Sequence, residues 1–211
     1  TIVVGPWLSE VGYEALYWVA FVRWFAHRYR IDPERMVVVS RGGVASWYAD
    51  VTPRYVELLD LFEPDEFARR NRERQASGDQ KQLAPGDFDA EIVSRVSTTL
   101  LQGRQPRLCH PSLMFRLFRN VWHGNLPMDL LWRRTRFEAT RVAATGSLPV
   151  PDDFIAVKLY SGPALSMGDR TCASLRQLVA KAAAIAPVVL LDVELGIDEH
   201  RDLDLGDLPG V

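Results

Sequence analysis

Long apolar runs are missing from this sequence, and so is any excess of basic residues. No stretch approaches the ~20 apolar residues needed to cross a bilayer. The longest candidate, Tyr13 to Phe25, is interrupted by Glu14 and Arg23. A basic leader followed by an apolar segment is also missing, which argues against secretion. The net charge is -2 and the pI near 6.1, far from the basic balance of a nucleic-acid-binding protein. Only two cysteines occur, Cys109 and Cys172, without CxxC spacing, and they read as buried free thiols. The cluster Asp198-Glu-His-Arg-Asp202 has metal-ligand residue types but no zinc or EF-hand spacing, so it reads as a polar loop and no metal is expected. The expected location is the cytoplasm, including the inner membrane face. The start at Thr1, with no Met and directly in a strand-like run, suggests trimming or a fragment.

What is present is an ordinary globular composition, 47% hydrophobic and 25% charged over 211 residues, enough for one large domain or up to two small ones. Thr1–Val4 reads as a strand ending at Gly5-Pro6. Val11 to Arg30 is helical in pattern: Tyr13, Tyr17, Phe21, Trp24 and Phe25 follow 3–4 spacing, and Trp18 and Val22 widen the stripe. Asp32-Pro33 closes that segment. Met36-Val-Val-Val-Ser40 is a continuous apolar strand of the kind covered on both faces, and Arg41-Gly42-Gly43 follows as a loop. The first ~43 residues are therefore a βαβ unit, whose crossover is right-handed almost without exception.

Further on, Tyr55–Phe62 reads as a short strand, Asp65 to about Gln75 as a polar helix opened by Pro64, and Asp87–Leu101 as a helix with Ile92, Val96 and Leu100 on one face. Ser112–His123 reads as a helix with Phe115, Phe118 and Trp122 on one face. Gly146–Pro151 is the linker candidate, with turn residues and two prolines. Beyond it the pattern restarts: strand Phe154–Tyr160, loop Ser161-Gly162-Pro163, helix Thr171–Ala186 with Leu175, Leu178, Val179 and Ala182 inward, and strand Pro187–Val193. The expected organisation is α/β, with Rossmann-like parallel sheet units: a domain over 1–145, a linker at 146–151, and an incomplete second domain over 152–211.

Ligands of open α/β sheets bind at the carboxyl ends of the strands. The loop Gly5–Glu14 lies there and opens the first long helix, whose N-terminus favours anions. It is not GxGxxG, so it is no dinucleotide fingerprint. Its carboxylates, Glu10 and Glu14, can act as general base toward a hydroxyl, or can simply complement the helix dipole. Gly12 lies between them. Arg41 with Gly42 and Gly43 should share the same edge, where the arginine can clamp a phosphate or carboxylate, or sit in a plain turn. His110, before Pro111, is an acid–base candidate or a helix cap. Lys158 lies within an apolar strand beside the second unit's first loop, which calls for a counter-charge, a ligand or an exposed edge. Residues 104–141 hold eight arginines opposed by Asp129 and Glu138 alone, a field that can attract a phosphorylated donor, a lipid diphosphate or an anionic membrane surface.

The opening GPWLSEVGYEALYWVAFVRW, the RGG after the second strand and the DDFIAVKLY restart resemble an uncharacterised branch of bacterial proteins encoded among polysaccharide and glycosyltransferase genes. That branch looks like the GT-B superfamily of two facing Rossmann-like domains. The resemblance implies an N-terminal domain on the acceptor side and a C-terminal domain on the donor side. It implies a nucleotide-sugar donor as substrate, a saccharide or lipid-linked acceptor, and no bound cofactor or metal. In inverting members a carboxylate base lies near the first strand, and Glu10 matches that position best, with Glu14 second. The glycine-rich donor loop and the acidic ribose contact of such domains do not occur before Val211, which puts the completeness of the donor side in doubt. The alternatives are a non-catalytic scaffold module of a polysaccharide assembly complex, docking through the basic stretch at the inner membrane face or on an acidic partner, and another phosphate-using α/β enzyme such as a sugar epimerase.

Overall fold

The structure, a computed structural model, describes residues 1–78, 81–139, 150–161, 167–191 and 201–203. Most of the expected linker lies outside them, as do Gly162, Pro163, Arg141 and the acidic residues Asp198, Glu199, Asp204 and Asp207. The chain divides into two compact units, Thr1–Ala143 and Ala144–Val211.

The first unit is built on four parallel strands, β1 (Ile2–Val4), β2 (Met36–Ser40), β3 (Tyr55–Glu57) and β4 (Arg107–Cys109), in the order β3-β2-β1-β4. Doubly wound Rossmann-like sheets begin with this order, and β1 and β4 flank the point where it reverses. Val4 pairs with Val38 on one side and with Cys109 on the other, so the carboxyl ends of β1 and β4 are level. All five residues of β2 are buried, as its uninterrupted apolar run requires of a strand covered on both faces. The strand expected over Tyr55–Phe62 stops at Glu57, where the chain turns into a 3-10 segment, Leu58–Asp60. β4 was not foreseen. Arg-Leu-Cys has no β-branched residue, and its pairing with β1 is what makes it a strand.

The first long helix has three parts: α1 (Val11–Tyr13), a π-turn (Glu14–Trp18) and α2 (Val19–Arg28). In the π-turn the amide of Val19 reaches back to the carbonyl of Glu14, five residues away. The aromatic stripe packs as its spacing implies. Trp18, Phe21 and Val22 are buried against the sheet, and rings of this helix meet Phe115, Phe118 and Trp122 of α5 (Ser112–Trp122). Two further helices, α3 (Pro64–Ala76) and α4 (Asp87–Leu100), are joined through Arg95. Its guanidinium lies 3.8 Å from the ring centre of Phe62 and pairs with Glu66 and Glu91. Leu100, expected on the inner face of α4, is exposed because the helix ends there, and Leu101 turns inward instead. α6 (Asp129–Trp132) is a single turn.

In the second unit β5 (Ile155–Val157) and β7 (Val188–Leu190) pair in parallel through the crossover helix α7 (Asp169–Ala183), while β6 (Tyr160–Ser161) pairs antiparallel with β8 (Arg201–Asp202). The single strand expected over Phe154–Tyr160 is thus divided between β5 and β6, leaving Lys158 exposed just beyond β5. Val179 is the inward centre of α7, with Leu175 and Ala182 beside it; Leu178, expected inward, faces solvent. Cys109 is buried and burial pushes its thiol up to about 12; Cys172 is half-buried rather than buried, and both are free. Among the described residues no helix is long and apolar enough to cross a membrane.

Candidate functional site

The loop after β1 is held on the carboxyl edge of the sheet by hydrogen bonds from several parts of the chain. Residues 5–9 are all buried, and Gly5-Pro6 is a cis peptide. Buried backbone groups need partners, and here each comes from a different part of the chain. The Gly5 amide donates to the Cys109 carbonyl at 2.9 Å and the Trp7 amide to the Val39 carbonyl at 3.0 Å. Gln82 straddles the loop: its Nε2 donates to the Pro6 carbonyl at 2.9 Å and its Oε1 accepts the Leu8 amide at 2.8 Å. Arg41 donates to the carbonyls of Trp7 (3.1 Å) and Ser9 (3.0 Å), and Arg74 to that of Leu8 (2.8 Å). The loop ends at Glu10, whose side chain is exposed and caps no helix amide.

Arg41 is therefore a strut rather than a surface clamp. It is 1% exposed and lies 5.9 Å from the ring centre of Phe67. The glycines behind it are needed for conformation, with φ of 83° at Gly42 and 72° at Gly43 and open space where a Cβ would be. Their amides donate to the Glu57 carboxylate at 3.1 and 2.9 Å. The anion held by this loop is the chain's own. Gly12 is exposed in the first helical turn, where an added Cβ would lie 3.7 Å from Glu10 Oε1.

Glu14, four residues after Glu10, is 0% exposed. Its Oε1 accepts from the Ser40 hydroxyl at 2.5 Å and the Tyr48 hydroxyl at 2.7 Å, while Oε2 has no hydrogen-bond partner. Burial pushes its carboxyl up to about 7, against the opposing pull of those two hydroxyls and of Arg41. The cluster continues along the edge. Ser40 is the register partner of Glu57, the Tyr55 hydroxyl donates to Glu57 at 3.1 Å, and the Tyr48 and Tyr55 rings stack. Burial raises the phenols of Tyr48 and Tyr55 as well, so both stay protonated donors.

His110 lies at the carboxyl end of β4, beside Gly5. Its Nδ1 accepts the Ser112 amide at 3.1 Å, which leaves the proton on Nε2, 3.0 Å from Asp89 Oδ1. Gln82 donates to the same oxygen at 2.9 Å, and the Gly86 amide to Asp89 Oδ2 at 2.8 Å. Gln82, Asp89 and His110 are buried, so the point of strand-order reversal is filled by the protein's own polar side chains. Sequence reasoning missed Gln82 and Asp89. The one local signal was an aspartate three residues into a helix that starts after Pro85-Gly86, the capping-box position. Gln82→Ala strips partners from the Leu8 amide and the Pro6 carbonyl together. It is expected to destabilise the fold by about 2–4 kcal/mol in urea denaturation; stability equal to the parent's would mean that water takes over both bonds.

The structure brings Glu10, Gly12, Glu14, Arg41, Gly42, Gly43 and His110 to one edge of one sheet, with Glu10 the exposed carboxylate of the pair. Lys158 belongs to the second unit. A groove of about 660 Å³ opens elsewhere in the first unit, lined in part by Arg23, His27, Asp50 and Arg136, and none of the foregoing residues lines it. Among the described residues no group of three or more His, Cys, Asp or Glu side chains is placed to hold a metal ion. Compared with family models, curated proteins and solved structures, the chain matches none.

Proposed function

We propose that the chain is the acceptor-side domain, with the beginning of the donor-side domain, of a GT-B-like glycosyltransferase, and that Glu10 is its general base. The observation that carries this reading is an exposed carboxylate at the end of a loop whose backbone is bonded on both sides, on the carboxyl edge of a Rossmann-like sheet. Open sheets take ligands at that edge. A fixed loop holds the backbone of a base at one position without loss of backbone freedom on binding.

In the reaction Glu10 takes the proton of an acceptor hydroxyl. The oxygen forms its bond to the anomeric carbon of a nucleotide sugar, and the bond from that carbon to the diphosphate breaks, its electron pair leaving with the nucleotide. Arg41 supports the loop from behind. Glu14, buried and bonded to Ser40 and Tyr48, is a positioning residue.

The test is transfer or donor hydrolysis by the full-length protein across a panel of UDP- and GDP-sugars. Glu10→Gln is expected to lower kcat/KM by about 10²–10⁴ with the unfolding temperature unchanged. Turnover at the parent's rate in that variant removes Glu10 from the chemistry, and a parent inert toward every donor overturns the reading.

A further inference from the structure

α5 and the segment after it carry two features side by side in the chain. The first is charge. Over residues 104–139 seven arginines stand against two carboxylates, although the whole chain carries a net charge of -2. Both carboxylates are already taken, Asp129 by Arg133 and Glu138 by Arg136, and Arg134 lies over the Trp24 ring. Among the described residues Arg104, Arg107, Arg116 and Arg119 pair with no carboxylate. Arg116 and Arg119 are one helical turn apart on the exposed side of α5, between exposed Leu113 and His123.

The second feature is exposed apolar surface. The amides of Asn125 and Leu126 both donate to the Asn120 carbonyl, which folds the turn against the end of α5. From that turn, α6 and the segment after it project Met128 (56% exposed), Trp132 (62%) and Phe137 (52%), along with Leu126. Met128 and Trp132 are four residues apart across α6, and the Trp132 and Phe137 ring centres are 5.8 Å apart. These side chains protrude beside an excess of arginine, and the charge complementarity of that excess is with an anionic surface.

We propose that the exposed side of α5 and the segment after it form one face that seats on an anionic lipid bilayer, with Trp132, Phe137 and Met128 entering the headgroup layer and Arg116 and Arg119 meeting the lipid phosphates. Aromatic and long apolar side chains flanked by arginine suit that layer, because each has an apolar body for the acyl boundary or a charge for the headgroups. The negative surface attracts arginine and the attraction weakens with salt. The placement stands whether or not the chain transfers sugars, so a failed transferase assay leaves it intact.

Co-sedimentation with vesicles of phosphatidylcholine, with and without phosphatidylglycerol, tests it. The parent is expected to sediment with the phosphatidylglycerol vesicles at low salt and to be released by high salt. Arg116→Gln with Arg119→Gln is expected to weaken binding about thirty-fold. Trp132→Ser with Phe137→Ser is expected to weaken it at least ten-fold and to remove the blue shift of tryptophan fluorescence on binding. All four side chains are on the surface, so both double variants should unfold at the parent's temperature; the parent's own salt response is a test that needs no variant. No sedimentation of the parent, equal sedimentation with neutral vesicles, binding untouched by both double variants, or retention on polyglutamate without vesicle binding would each overturn the proposal.

Discussion

Replacing Gly5 with alanine is expected to destabilise the first unit by about 3–5 kcal/mol, enough to remove most of the stability of an ordinary domain. Two effects add. Gly5 has φ of 114°, a region that L side chains rarely adopt, and a Cβ on it would lie 2.4 Å from the Val39 carbonyl oxygen. That oxygen cannot move aside freely, because it accepts the Trp7 amide and belongs to the fully buried β2. Gly42→Ala and Gly43→Ala are the controls. Their φ values are 83° and 72° and nothing lies within 4 Å of the added carbon, so only the conformational cost of about 1–2 kcal/mol applies. Urea denaturation of the three variants separates the effects. A Gly5→Ala protein no less stable than Gly42→Ala would show that the approach of the loop to β2 is wrong.

Glu14→Gln is expected to change how stability depends on pH. The Glu14 carboxyl in the folded protein is pushed up to about 7 from an ordinary value of 4.5. Between those two values the unfolded chain has already released the proton that the folded chain keeps. Stability therefore falls as pH rises through this window and levels off above about 7, with a total loss of about 3 kcal/mol from this one group. Glutamine does not titrate, and its carbonyl oxygen can still accept from Ser40 and Tyr48. Its amide nitrogen takes the place of an oxygen that has no partner, which adds an offset of about 1–3 kcal/mol that does not vary with pH. The expected result is a difference between variant and parent that moves in favour of the variant by about 3 kcal/mol from pH 4.5 to pH 8. Other titrating groups are common to both proteins and cancel. Parallel stability curves for the two would mean that Glu14 ionises as it does in the unfolded chain.

Much of the fold was legible where a pattern is complete within a few residues. The apolar run Met36–Val39 of β2, the aromatic stripe from Tyr13 to Phe25, and the spans of α4 and α5 follow from hydrophobic period and from the proline and glycine around them. β4 was hidden because its three residues become a strand only by pairing with β1, more than a hundred positions earlier. The π-turn was hidden because Glu14–Trp18 has the composition of a plain helix. Charge usually faces water, so the sequence leaves Arg41 either clamping an anion or sitting solvated in a turn, and neither reading has it buried. Its burial depends on carbonyls at Trp7 and Ser9 that no local pattern marks as needing donors. Gln82 and Asp89 were overlooked for the same reason: their partners lie at Pro6, Leu8 and His110.

Local patterning is thus sufficient for an α/β chain with a βαβ start and a loop carrying two carboxylates at the carboxyl edge of its sheet. Glu10 and Glu14 are equivalent at that level, being the same residue type one helical turn apart. Packing makes them different. Glu10 stands where the pinned loop ends and the helix has not yet met the sheet, so it remains in water. Glu14 is one turn further in, where Ser40 from β2 and Tyr48 close over it, and the cost of burying its charge raises its proton affinity. Solvation depends on what every other segment places nearby, and a segment's own residues do not encode it.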